Sequence, residues 1–248
     1  MPDINSTFIA NATWQEADKA LAQGTACLLP IGAACKEHGY HLPLNTDYLQ
    51  AEWLAKQLAT RFKFIVWPTA SYGFYPAFVN YPGSASVSSD VFTQYTIDLI
   101  HSICRHHNNP LILLNTGIST IPPLQLAIEK STYRQQLYLM NVYSGEEFSQ
   151  VEKAIQTQSS GGHADEIETS IMLALKPKAV HMDRAVAGID TKVAGPLERE
   201  DNNHANYCPS GSIGDPTHAS AEKGHQLLDA ILEDCSRFIH SSLNNLTN

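Results

Sequence analysis

This 248-residue chain contains no cluster of basic residues, and its formal charge is -9. Binding to a phosphate backbone needs a basic face, so nucleic acid is excluded as the main partner. No apolar run approaches the ~20 residues of a membrane span. The first ten residues lack the charged and apolar segments of a secretory signal, so a cytoplasmic protein without membrane association is expected. Cysteine is sparse: Cys27, Cys35, Cys104, Cys208 and Cys235 are odd in number, widely spaced and free of any C-x-x-C pair. They read as reduced thiols. Internal repeats and low-complexity segments are also missing.

The remaining composition is that of a folded protein, with 43% hydrophobic and 17% charged residues. A chain of this length buries roughly three-quarters of its unfolded surface, so it needs no covalent staple. We expect one domain over residues 1–248.

Thr13-Trp14-Gln15-Glu16 is a capping-box pattern opening a helix with Trp14, Ala17, Ala20 and Leu21 as its apolar positions, ended by Gly24. Cys27 to Ile31 reads as a buried strand, Tyr48 to Arg61 as a helix and Phe64 to Trp67 as a second strand. Ser88 or Ser89 caps a helix running to about His107. Pro110 to Leu114 and Leu137 to Val142 read as strands, with a helix opened by Pro122-Pro123 between them. Helices follow at 146–156 and 167–175, Ala179-Val180 reads as a short strand, and 183–216 reads as irregular. Ala219 to Leu243 reads as a long helix with Ala221, His225, Leu228, Ile231, Leu232 and Cys235 facing inward. Strands alternating with helices predict an α/β fold with a mostly parallel sheet covered on both faces.

Two segments stand outside this pattern. Tyr72, Phe74, Tyr75, Phe78 and Tyr81 fall within ten residues among Gly and Pro. Such a loop fits a pocket wall, a subunit interface or local core packing. The second segment follows the first strand and gathers Glu37, His38, His41 and Asp47 in eleven residues, punctuated by Gly39 and Pro43. Carboxylates and imidazoles suit zinc, manganese or iron. A second acid-and-histidine group, His163, Asp165, Glu166 and Glu168, leads into a later helix. In an open α/β sheet the loops after different strands meet at one edge, so the two groups can share a site. Cys35 lies in the same loop, but without an evident His–Asn pair it reads as a packing residue rather than a nucleophile.

The stretch Pro30-Ile31-Gly32, with Glu37-His38-Gly39-Tyr40-His41-Leu42-Pro43-Leu44-Asn45-Thr46-Asp47, resembles the leading motif of the creatininase (creatinine amidohydrolase) family. Tyr81-Pro82-Gly83-Ser84, His163 to Ser170 and Ser210 to Pro216 resemble three further motifs of that family, in order and spacing. The resemblance covers roughly residues 28 to 224. It implies a three-layer α/β/α sandwich, a homohexamer, and a metal-dependent hydrolase that cleaves a non-peptide C–N bond, typically in a cyclic amide, with a metal-activated water. Zinc, manganese or iron would be the divalent metal, one or two per subunit. Carried over by position, His38 and Asp47 match metal ligands, with Asp47 as the bridging carboxylate, Glu168 matches a site glutamate that binds metal or carries a proton, and Glu37 is expected to join them as a metal ligand. Glu168 and His163 match proton-carrying or substrate-facing groups. His41 and Lys36 are expected to support the ligands or touch a small-molecule amide substrate.

The chain departs from the family pattern twice. Lys36 stands where the family's first glutamate is expected; either a bulge brings Glu37 into that place, or the Lys36 ammonium substitutes for a metal. The loop Asn115-Thr116-Gly117-Ile118-Ser119-Thr120 carries neither the histidine nor the glutamate expected there. His204 is a candidate for the missing ligand. These departures also motivate an alternative, a catalytically impaired binding or regulatory protein with a partial metal site.

Overall fold

The computed structural model describes residues 6–244. Its centre is a five-stranded sheet of β1 (Thr7–Phe8), β2 (Cys27–Ile31), β3 (Ile65–Val66), β4 (Leu111–Asn115) and β5 (Leu137–Asn141). The order across the sheet is β1-β3-β2-β4-β5, and every pair is parallel. Each strand of β2 and β4 is buried throughout, as expected where helices cover both faces.

Period-two alternation divides the strand residues between two cores. Leu28, Ile112 and Leu114 face one core, against α2 (Thr46–Arg61), α5 (Glu146–Ile155), α6 (Glu166–Leu175) and α7 (Ala221–Asn244). Cys27, Leu29, Ile31, Leu111 and Leu113 face the other, against α3 (Ser89–Cys104) and α4 (Ile121–Lys130). The short α1 (Trp14–Leu21) joins the second layer only through Ala20 and Leu21. The result is the expected three-layer α/β/α arrangement.

The chain passes from β2 to β3 on one side, then crosses to place β4 on the other side of β2. The carboxyl ends of β2 and β4 therefore flank a topological switch point, where open α/β sheets bind ligands. Two contacts fix what lies there. A Cβ on Gly32 would stand 2.5 Å from the Asp47 carbonyl oxygen, so β2 ends directly on the first turn of α2. Thr116, just beyond β4, donates its hydroxyl to the Asp47 and Ile31 carbonyls, each at 3.1 Å.

Several boundaries differ from the sequence expectations. Ala179-Val180 forms no strand: Pro177–Ala179 is a single 3-10 turn, and His181, just after Val180, donates its amide to the His41 carbonyl at 2.8 Å. That bond ties the segment to the site loop instead of the sheet. Trp14 is exposed because α1 meets the core only by its last turn. Ala221 and His225 are exposed on α7, whose inward stripe starts at Leu227 and Leu228. The third helix stops at Cys104 rather than His107. The aromatic loop splits: Tyr75, Phe78 and Tyr81 form a small core with Leu197 and Cys208, while Tyr72 remains exposed.

Candidate functional site

The loop from Gly32 to Asn45 is held in shape by its own backbone. The Lys36 amide donates to the Leu44 carbonyl at 3.0 Å, and the Glu37 amide donates to the Ser84 hydroxyl at 2.9 Å. Gly39 turns the chain at φ +72°, a conformation that favours glycine. Lys36, Glu37 and His38 consequently leave the loop in different directions, and all three are buried.

His38 is fully buried, and its Nδ1 lies 2.8 Å from the Lys36 carbonyl. A carbonyl only accepts, so Nδ1 carries the proton and the Nε2 lone pair faces the other way. There it meets Asp47 Oδ1 at 3.0 Å and Glu168 Oε1 at 3.6 Å. Three acceptors thus converge on one point, which demands a positive charge. A proton on Nε2 can supply that charge. Burial and the Lys36 ammonium work against it, but the Asp47 and Glu168 carboxylates prevail and push the His38 pKa up to about 9. Both carboxylates answer in kind: against the cost of burial, Lys36 and His38 hold Asp47 below the usual range, and His38 holds Glu168 well below it.

Glu168 reaches this point from the start of α6. Asp165 caps that helix by accepting from the Ile167 and Glu168 amides, each at 3.0 Å. Ala164, at φ +47°, bends the chain so that its amide donates to Glu168 Oε2 at 2.8 Å. The same bend turns His163 inward. Its Nε2 lies 2.9 Å from the Glu37 carbonyl and 3.1 Å from Glu37 Oε2. With the proton on that nitrogen, the Nδ1 lone pair looks toward Glu168 Oε2, 3.7 Å away. His38, His163 and Glu168 each place one ligand atom within 4.8 Å of the others. The outer nitrogens of both histidines are held by oxygen acceptors, the arrangement that orients metal-ligating imidazoles.

The expected residues therefore meet, with altered duties. His38, Asp47 and Glu168 come together as read from the sequence. Glu37 stands apart from Asp47; its carboxylate is taken by His163 and the Gly39 amide, and Gly211 packs against it. It orients His163 rather than joining the His38 corner. Lys36 reaches Asp47 Oδ2 at 2.8 Å, so the bulge that would have replaced it by Glu37 does not occur. His41 is held by the Thr169 hydroxyl at 2.7 Å, next in chain to Glu168, and supports the loop. The loop after β4 supplies no ligand, and His204 is exposed, accepting from the Asn206 amide. Two residues named in the sequence reading have duties that it did not assign. Asp165 as the cap was legible in the Asp-x-x-Glu spacing with Glu168. Phe78, whose ring stacks on His163 at 4.0 Å between centroids, had only the aromatic loop as its signal.

The corner opens into a cavity of about 440 Å³, lined at its base by Lys36, Asp47, His163 and Glu168. Phe78, Ile118 and Phe148 give it an apolar wall, and Glu152 and Lys192 also line it. A concave site with an apolar wall and a few converging polar groups suits a small ligand.

Comparison with known proteins agrees with this geometry. The family model described as Creatininase: Creatinine amidohydrolase matches residues 10–239. The chain is similar to the creatinine amidohydrolase of Pseudomonas putida, 28% identical over 92% of this chain and 94% of that one. It is also similar to a 3-dehydro-scyllo-inosose hydrolase of Thermotoga maritima, 24% identical over 94% and 82% of the two chains. A mycofactocin precursor peptide peptidase of Mycobacterium ulcerans is 25% identical over 84% and 82%. A solved creatininase superposes with a TM-score of 0.84 at 23% identity, covering 96% of this chain and 98% of that one. A mutant creatininase of Zn-Zn type gives 0.82 at 25% identity over the same shares.

Proposed function

Because this chain belongs to the creatininase family of amidohydrolases, we propose that it is a metal-dependent hydrolase that opens a non-peptide C–N bond in a small, cyclic amide. The carrying observation is the convergence of His38 Nε2, Asp47 Oδ1 and Glu168 Oε1 at the base of an open cavity. The donor set fits one divalent ion such as zinc, manganese or iron: imidazole nitrogen and carboxylate oxygen, with both imidazoles already turned to offer lone pairs. His38, Asp47 and Glu168 would hold it, with His163 Nδ1 in reach. When bound, the ion lowers the pKa of a coordinated water from ~15.7 toward ~7 and polarises the scissile carbonyl.

The remaining duties fall to side chains. Glu168 or His163 carries the proton to the leaving nitrogen, since both border the cavity and lie against each other. Glu37 keeps the His163 ring in place. Phe78 and Ile118 hold the substrate body and exclude water from one side. Relatives with three different activities leave the choice of substrate to this wall, and the wall accommodates a molecule with an apolar part. We further propose that residues 1–248 act as one domain, in the cytoplasm, and as a homo-oligomer, with a hexamer as the specific expectation. Tyr72 and Val79 are exposed apolar side chains available for such contacts.

Elemental analysis of protein purified without chelator tests the main reading. Stoichiometric zinc, manganese or iron should be present and should vanish in Asp47→Asn, together with hydrolysis of cyclic amides in a substrate panel. A folded, metal-free protein indifferent to that substitution overturns it and favours the binding-protein alternative. Light scattering that shows a monomer at micromolar concentration overturns the oligomer.

A further inference from the structure

We infer that the ammonium of Lys36 is itself the second cation of this centre, so that the chain holds one divalent ion and not two. The inference rests on the metal-dependent reading above and specifies it.

Asp47 presents its two oxygens in opposite duties. Oδ1 faces His38 Nε2 at 3.0 Å, the corner that accepts an ion; Oδ2 is already bonded to Lys36 Nζ at 2.8 Å. The lysine is buried and its Nζ also lies 5.3 Å from the Phe78 ring centre, within cation–π range. A bridging carboxylate normally joins two metal ions. Here it joins one ion position to an ammonium.

Besides the main cavity, a further space borders both Lys36 and Asp47, and it offers an ion no second carboxylate and no imidazole. The space there is about 20 Å³, room for one water. It is bordered by Asn115, Gly117, Ser119, Thr120 and Tyr75, and Asp47 is the single carboxylate or imidazole in its lining. The polar groups of the loop are engaged with one another: Thr120 donates to Asn115 Oδ1 at 2.7 Å, and Asn115 Nδ2 donates to Gly117 and Asn141.

Charge balance agrees. Three carboxylates, Glu37, Asp47 and Glu168, contact the lysine and the two histidines. One ammonium and one divalent ion neutralise them. A second divalent ion would leave two uncompensated positive charges in a buried site, which is strongly unfavourable. Lys36 also lines the cavity, and an ammonium has three N–H bonds of which Asp47 takes one. The others are open to a substrate carbonyl oxygen, where a fixed positive charge stabilises developing negative charge.

The probe is Mn²⁺ alone, titrated into chelator-stripped full-length protein and read by elemental analysis and electron paramagnetic resonance. Wild type should bind one ion per chain with an uncoupled six-line spectrum, and Lys36→Arg, which keeps the cation, should do the same. Lys36→Met should bind its ion at least about tenfold more tightly, because a like charge a few ångströms from the ion has gone. A lysine that merely orients Asp47 would instead give weaker binding when removed. Two ions per wild-type chain with an exchange-coupled spectrum, or unchanged or weaker binding in a Lys36→Met protein folded by circular dichroism, overturns the inference. If Lys36→Met does not fold, the wild-type and Lys36→Arg stoichiometries decide. Zero ions in wild type would instead be the failure of the metal-dependent reading itself.

Discussion

His41 shows how a single buried group at this site fixes an acid limit. Burial costs its imidazolium more than Glu168 and Glu37 return, so its pKa falls to about 4, below the ordinary ~6.5. The folded chain therefore binds this proton less readily than the unfolded chain. Its contribution to stability is present above pH ~6.5 and is lost as pH falls toward 4. Urea midpoints measured across that window should decline in wild type and decline less steeply in His41→Gln, which can still bond Thr169; parallel curves would show that His41 is not responsible. Thiols allow a second check at this scale. Burial pushes Cys27 and Cys235 up to about 12, and Cys104 and Cys208 are also buried, leaving Cys35 half-exposed. Iodoacetamide at pH 8 should label Cys35 in the native protein and all five only after unfolding. Residue identity revealed part of this site beforehand. His38, Asp47 and Glu168 were legible because their types and motif spacing are the signal. The duty of Glu37 was not, because it depends on the turn at Gly39 and on the Ser84 contact, neither of which is local to Glu37 in a way that spacing expresses.

Helices α2 and α6 bring Asp47 and Glu168 to the same point from their first turns, so the fidelity of two helix starts sets the geometry of the corner. Asp165→Ala should cost about 1 kcal/mol of stability, the usual value of an N-cap. It should also weaken Mn²⁺ binding, since the cap fixes the turn carrying Glu168; a stability loss with unchanged affinity would confine Asp165 to folding. Gly32 plays the corresponding part for α2. Its Cβ-free approach to the Asp47 carbonyl leaves no room, so Gly32→Ala should destabilise the fold by about 1–3 kcal/mol. Elements of this length were the easiest to read, because helices such as α2 and strands such as β4 carry full-period apolar patterns. The two-residue β1 carries no such pattern and pairs only with β3, whereas β3 was legible in the apolar run Phe64 to Trp67. Val180, apolar after a proline, read as a strand because sequence cannot show that the chain there is tied to His41.

Across the whole molecule, the sheet brings together two groups of residues that are more than 100 positions apart, and folding is the step that assembles the ligand corner. An ion that binds this corner has no equivalent site in the unfolded chain, so binding and stability are linked. At a free ion concentration about a hundredfold above Kd, the linkage adds about 2.7 kcal/mol. For a chain of this size that corresponds to a rise in Tm of roughly 5–10 °C. Scanning calorimetry with and without excess Mn²⁺ should show that rise in wild type and in Lys36→Arg, and its loss on adding chelator. His38→Ala and Asp47→Asn should melt at one temperature whether or not the ion is present. Glu37→Gln should keep a reduced rise, because it loosens His163 while leaving the His38, Asp47 and Glu168 corner intact. A full rise in Asp47→Asn would place the ion elsewhere, and it would break the connection between the switch point of the sheet and the chemistry assigned to it.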